Sequence, residues 1–291
     1  MSSFFNPVSI HQQGSSFPVR RMDFDLRGIN KYFVNNDPVP TMMWLAFQAY
    51  FPEGESFFVD SVRDMRDQVK DHRLQKDIGA FIGQEAMHGK EHYAANEELK
   101  RQGIDVTSLD RAADQARRLG NRYLPKRFRL ALTAAAEHFT GVIGSQIARR
   151  EDFRSSIIDD RAKALILWHA MEEIEHRAVA FDVYQSTGGG YLTRAMAMTA
   201  VSAGIAPVVF YGMVACLRQD GQLFNLASWK RFLESYWGRH GFLSEAIPEL
   251  LRYYRPDFHP DDTDSHELIQ TFRRELGITE PALSEHPDHI H

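Results

Sequence analysis

Two stretches of this chain place glutamate and histidine at spacings that could hold metal ions. The first is Glu85-Ala86-Met87-His88; the second is His169-Ala170-Met171-Glu172-Glu173-Ile174-Glu175-His176. In each, a glutamate precedes a histidine by three residues, and helix positions three or four apart share a face. Glu85 and His88 can therefore converge on one point, as can Glu173 and His176. His169 stands four residues before Glu173 and joins the same stripe. Two such pairs, with a lone glutamate from each of two further helices, make the ligand set of a site for two metal ions. Glu55 and Glu137 are the candidates for those lone glutamates.

The neighbours separate expected ligands from bystanders. Ile78, Phe81 and Ile82 precede Glu85 on its helical face, so its carboxylate must be paired, protonated or bound to a cation. A hydrogen bond to His88 is the plainer alternative. Ile166 and Ala180 continue the stripe of His169, Glu173 and His176, which turns that stripe inward. Glu172 and Glu175 fall to its sides, and Glu172 is expected to support a ligand from behind or to meet solvent. Glu137 lies among Leu132, Ala134, Ala135 and Ala136, small neighbours that let a facing helix approach. His138 points away from Glu137 and is not counted. Glu55 has Phe58, Val59 and Val62 on its face, whereas Glu53 faces Ser56, Phe57 and Asp60 and reads as an N-terminal helix charge. His92, one turn beyond His88, is read either as a donor that orients a ligand or as a solvated residue.

The elements that must position these residues are helices, and the expected class is all-α. Apolar residues recur at helical spacing and strand alternation is scarce. Helices are expected over 41–50, 53–69, 71–101, a short span from 107, 125–150, 159–186, 191–217, 228–237, 243–253 and 264–276. Breaks fall at Pro52, Gly103, Gly120 and the Gly188-Gly189-Gly190 run. Each ligand segment thus has its own helix. Residues 1–40 read as an irregular arm, 41–190 as the metal-bearing bundle, 191–278 as helices packed on it, and 279–291 as a disordered tail.

A net charge of −5 gives no electrostatic case for nucleic acid. The single Cys216 removes thiolate sites, so any metal is held by carboxylate and imidazole, which suits iron, manganese or zinc. The first residues show no secretory signal pattern, and a cytoplasmic setting is expected. Residues 195–217 carry no charge and are long enough to span a bilayer. Pro207, Gly204 and Gly212 favour a helix buried on the bundle over one in contact with a membrane. Phe210, Tyr211, Met213, Met196 and Met198 there could line an apolar pocket, or simply pack in the core.

The order Glu55, Glu85-x-x-His88, Glu137, His169-x-x-x-Glu173-x-x-His176 resembles the ferritin-like di-iron carboxylate proteins. His169 resembles the extra ligand of the three-histidine variant seen in p-aminobenzoate N-oxygenase. Phe51-Pro52-x-Gly54-Glu55 and Glu85-x-x-His88-x-x-x-His92 are similar to a bacterial family labelled predicted metal-dependent hydrolase, a likeness spanning roughly 20–276. The resemblance implies a ferritin-like four-helix bundle with added C-terminal helices, two iron ions (manganese or zinc being alternatives), and a non-haem di-iron oxidase or oxygenase. Its expected partners are dioxygen, a small apolar organic substrate and a separate electron donor, since no Gly-rich dinucleotide motif follows a strand. A homodimer fits bundles of this kind. The alternatives are a zinc or manganese hydrolase on the same ligands, which needs only a Lewis acid and an activated water, and a storage or sensing protein without an organic substrate.

Overall fold

A computed structural model describes residues 4–10 and 13–279. The tail expected at 279–291 lies outside the described residues apart from Thr279. The chain opens with two short antiparallel strands, β1 (Val8–Ile10) and β2 (Val19–Arg21), pairing Val8 with Arg21 and Ile10 with Val19. The segment expected to be an irregular arm therefore carries a strand pair. It also supplies buried Phe17, Met22, Phe24, Leu26, Phe33 and Val34 to the core.

The remaining elements are helical, as the apolar periodicity predicts. α1 (Pro38–Ala49) and α2 (Phe51–Arg63) each begin with a proline in the first turn, where its missing N–H costs nothing. α3 (His72–Arg101) is capped by Asp71, whose side chain accepts from the Leu74 N–H. α4 (Thr107–Tyr123), α5 (Lys126–Arg149) and the short α6 (Glu151–Ser156) follow. α7 (Asp160–His176) starts at Asp159, which accepts from the backbone of Arg161 and Ala162. The helix expected over 159–186 is broken at Arg177 and Ala178, and α8 (Val179–Ser186) continues beyond. α9 (Tyr191–Gln219), α10 (Leu226–Trp237), α11 (Phe242–Arg252) and α12 (His266–Leu276) complete the chain, with α12 closed by Gly277 at φ 66°.

Four of these helices carry the expected ligands and pack in a ring: α2 on α3 and α5, and α7 on α5 and α3. Glycine permits the closest approach. A Cβ on Gly144 of α5 would lie 2.7 Å from the backbone oxygen of Ala170 on α7. Strand β2 lies on α3, where a Cβ on Gly83 would meet Val19 at 2.6 Å.

The apolar helix α9 is not the buried helix its sequence favoured. It packs on α1 and α5, but only 22% of its most apolar stretch is buried. By length and composition it could cross a membrane. Composition made it apolar all round, yet no described element covers its outer side, and Met196, Phe210 and Tyr211 are exposed.

Candidate metal centre

Every residue expected to ligate metal comes to one place in the ring. Glu55 comes from α2, Glu85 and His88 from α3, Glu137 from α5, and His169, Glu173 and His176 from α7; all seven are buried. Glu53, by contrast, is half-buried away from the cluster and pairs with Arg117 at 2.6 Å. His138 turns away, its Nε2 3.3 Å from the Glu249 carbonyl, and burial brings its pKa down to about 4.

Among the described residues, possible ligand atoms fall into four overlapping sets, each with all atoms within 4.8 Å of one another. These are Glu85, Glu137 and His176; Glu55, Glu85 and His88; His88, His169 and Glu173; and Glu55, His92 and His169. Glu55, Glu85, His88 and His169 each belong to two sets and so link them into one cluster. Glu173 plays a similar part, 3.5 Å from His88 and 3.6 Å from His176.

His92 takes the first of the two places expected of it and goes beyond it. It is buried and hydrogen-bonded to His169 Nδ1, where it can orient that ring, and it also lies 3.9 Å from Glu55 Oε1. It is a fourth imidazole in the cluster. The signal was present, since Glu85, His88 and His92 occupy one helical stripe.

The outer contacts fix the rings. Glu172 accepts from Arg20 Nη1 at 2.9 Å and lies 3.0 Å from His88 Nε2. Because a carboxylate only accepts, His88 carries its proton on Nε2 and turns the Nδ1 lone pair inward. Gln84 donates its amide to the Pro18 carbonyl and to Glu175, leaving its oxygen to accept from His176 Nδ1 at 2.9 Å. His176 therefore directs Nε2 toward Glu85 at 3.1 Å and Glu137 at 3.2 Å. Arg20 also grips Glu175 with two bonds of 2.6 and 2.8 Å. Glu172 thus occupies the supporting position expected of it, while Arg20, 152 residues away in sequence, gave no local signal.

The electrostatics show what is missing from the protein atoms alone. Burial, then Glu173 and Glu137, push Glu55 well above the carboxylate range; burial and Glu137 do the same to Glu85. Burial lifts Glu137 to about 7. Burial would also raise Glu173, but His169 and His176 override it and hold that carboxyl well below. Burial would lower His176, yet Glu137 and Glu173 keep it protonated well above the usual range. His88 and His92 are held well below the usual imidazole range, first by burial and then by the neighbouring His169 ring.

Both carboxylate oxygens of Glu55, Glu85 and Glu137 are buried without a hydrogen-bond partner, as are Glu173 Oε2, His88 Nδ1, His92 Nδ1 and His176 Nε2. Buried polar atoms are nearly always satisfied, so a concentration of orphans marks a missing partner. All are acceptors, or become so on losing a proton. That donor chemistry fits divalent cations of the iron, manganese or zinc type.

Beside His92, His169 and Glu173 lies a small space of about 60 Å³, walled by Phe33, Phe47, Phe51, Ile147 and Leu165. The Phe51 ring rests 4.7 Å from His92 and 4.6 Å from His169.

A family profile described as "Predicted metal-dependent hydrolase" matches residues 18–264, and the chain belongs to that family. No curated protein and no solved structure matches the chain.

Proposed function

We propose that this member of the predicted metal-dependent hydrolase family is a di-iron oxidase or oxygenase with a ferritin-like helical bundle, acting on a small apolar substrate with dioxygen. The observation that carries the reading is the combination of ligands and walls. Four buried carboxylates and four imidazoles meet beside a space lined by aromatic and aliphatic side chains. Four carboxylates neutralise two divalent cations, which removes the cost of burying either set alone. Glu55, Glu85, His88, Glu137, His169, Glu173 and His176 would hold the metals, with His92 beside them. Two iron ions held there would supply the redox chemistry that reduces dioxygen and oxidises an organic molecule.

The chain's own residues do the rest. Glu172 and Gln84 hold protons on the outer nitrogens of His88 and His176, so both rings keep their inner nitrogens ready. Phe51 and Phe47 exclude water from the His92 and His169 side and leave a substrate little but apolar surface to touch. Electrons come from a separate donor.

The family's description favours a second reading, hydrolysis with zinc or manganese on the same ligands. Hydrolysis needs a polar substrate group and an activated water at the metal. Of the side chains around the small space outside the cluster, Gln48 and Thr140 are the polar aliphatic ones, and Gln48 is already engaged with Asn96.

Metal analysis of the aerobically purified protein separates the two. The di-iron reading expects about two irons per chain, with a near-ultraviolet band that bleaches with dithionite and returns in air. Bound zinc with no spectral response to dithionite and oxygen would overturn it in favour of hydrolysis. His92→Ala and His169→Ala should each lower iron content; unchanged content removes that ring from the ligand set.

A further inference from the structure

We propose that the substrate carries a long apolar chain, such as an acyl chain, and that this chain lies in a second cavity beneath α9. The assignment rests on reading the cluster as the reacting centre. The second cavity measures about 590 Å³ and is bounded by α1, α5, α9, α10 and α11. That volume falls within the roughly 300–1,000 Å³ of pockets that hold small organic ligands.

Three features fix the class of ligand. Among the described residues no charged side chain lines the cavity; its polar groups are the Ser202 hydroxyl, the Trp237 indole N–H at the exposed end, and the Trp44 indole N–H, which is already taken by the Tyr236 hydroxyl. A ligand body placed here must be hydrocarbon, because a polar headgroup would lose its water without compensation. Trp44, Phe47 and Ile143 line both this cavity and the small space at His92, His169 and Glu173. These three side chains form a shared wall between the chain cavity and the small space beside the cluster, so the inner end of a chain in the cavity lies toward that space. At the outer end, Phe210, Trp237 and Ile247 line the cavity while remaining 56%, 50% and 43% exposed. The mouth is continuous with the uncovered side of α9, so a chain enters across apolar surface. Its source is either a free amphiphile or a bilayer lipid, and both present the same chain.

Tryptophan fluorescence tests this on the full-length, metal-loaded protein, since Trp44 and Trp237 line the cavity. The probes are dibrominated stearate in solution and vesicles of phosphatidylcholine with one dibrominated chain. Saturable quenching by stearate, displaced by unbrominated stearate, supports the cavity with a free amphiphile as source. Quenching by brominated vesicles alone supports it with a bilayer lipid as source. Ala206→Phe and Ala206→Asp, at an exposed position on the cavity wall, should each weaken binding by about tenfold or more while leaving metal content and helical circular dichroism unchanged. Absence of quenching from both probes, or quenching indifferent to both variants, overturns the proposal. Binding is read without turnover. Chain binding to a zinc-only protein would sink the oxidase and keep the cavity; an iron-loaded, oxygen-reactive protein that binds no chain would do the reverse.

Discussion

Loading the cluster with two divalent cations at pH 7 should release about three protons per chain. Without metal, burial and neighbouring carboxylates raise Glu55 and Glu85 well above the ordinary range, so each favours its protonated form. His176 is protonated, held up against burial by Glu137 and Glu173. Glu137, near 7, is about half protonated, and Glu173 is already ionised. A cation requires ionised carboxylates and a free ring nitrogen, so Glu55, Glu85 and His176 each lose a proton and Glu137 adds a fraction. The apparent affinity for the metal pair should then rise by about three powers of ten per pH unit near neutrality, or about 4 kcal/mol. Calorimetric titration of metal-free protein in buffers of different ionisation enthalpy counts the protons directly. Glu55→Gln should lower the count by about one. Release of fewer than one proton per metal pair would refute the charge assignment, and with it the picture of a cluster kept neutral until metal arrives.

Three further outcomes follow from the same structure. Glu172→Gln cannot accept from both Arg20 and His88 as the carboxylate does, and should weaken metal binding by about 10–100-fold in chelator competition; unchanged affinity would remove Glu172 from any role in orienting His88. Gly144→Ala sets a Cβ 2.7 Å from the Ala170 carbonyl, backbone against helix, and should destabilise by about 1–3 kcal/mol in thermal melts. Gly54→Ala, with nothing within 4 Å, should instead stabilise by about 0.4–1 kcal/mol, and equal effects at the two positions would contradict the packing. In the metal-free protein, Glu137 moves from 4.5 to about 7, so its contribution is full below pH 4.5 and is lost as pH rises through about 7. That is about 3 kcal/mol, and a fall in melting temperature from pH 5 to 8 that is no smaller in Glu137→Gln would count against it.

The residues of the cluster were legible in the sequence because their spacing is local to helices. Spacing put Glu85 with His88 and Glu173 with both His169 and His176, and the apolar stripe beside Glu55 separated it from Glu53, which pairs with Arg117. His92 was legible too, in the stripe it shares with Glu85 and His88, but spacing alone could not distinguish a turned-in ring from a solvated one. Arg20 was not, because its contact with Glu172 joins distant parts of the chain. The strand that carries it was hidden by the prolines around it and exists through its packing on α3 at Gly83. The uncovered side of α9 was hidden for a related reason. Composition reports how apolar a helix is, while the neighbours that cover it are set by the whole fold.

The contacts of Arg20 have a consequence for traffic through the protein. On the side of His88 and His176, the cluster is backed by an unbroken run of charged and amide groups: Glu172, Arg20, Glu175, Gln84 and Arg273. On the side of His92 and His169 it meets almost nothing but rings and aliphatic chains. The two sides are therefore unlike solvents meeting at one point. Under the proposed di-iron reading, hydrocarbon and dioxygen would partition to the dry side, where they are soluble and protons are not. Protons moving to or from the cluster would follow the continuous run of hydrogen-bonding groups on the wet side, through the strand at the start of the chain. A protein arranged in this way can admit an apolar molecule without admitting the water that would compete with it.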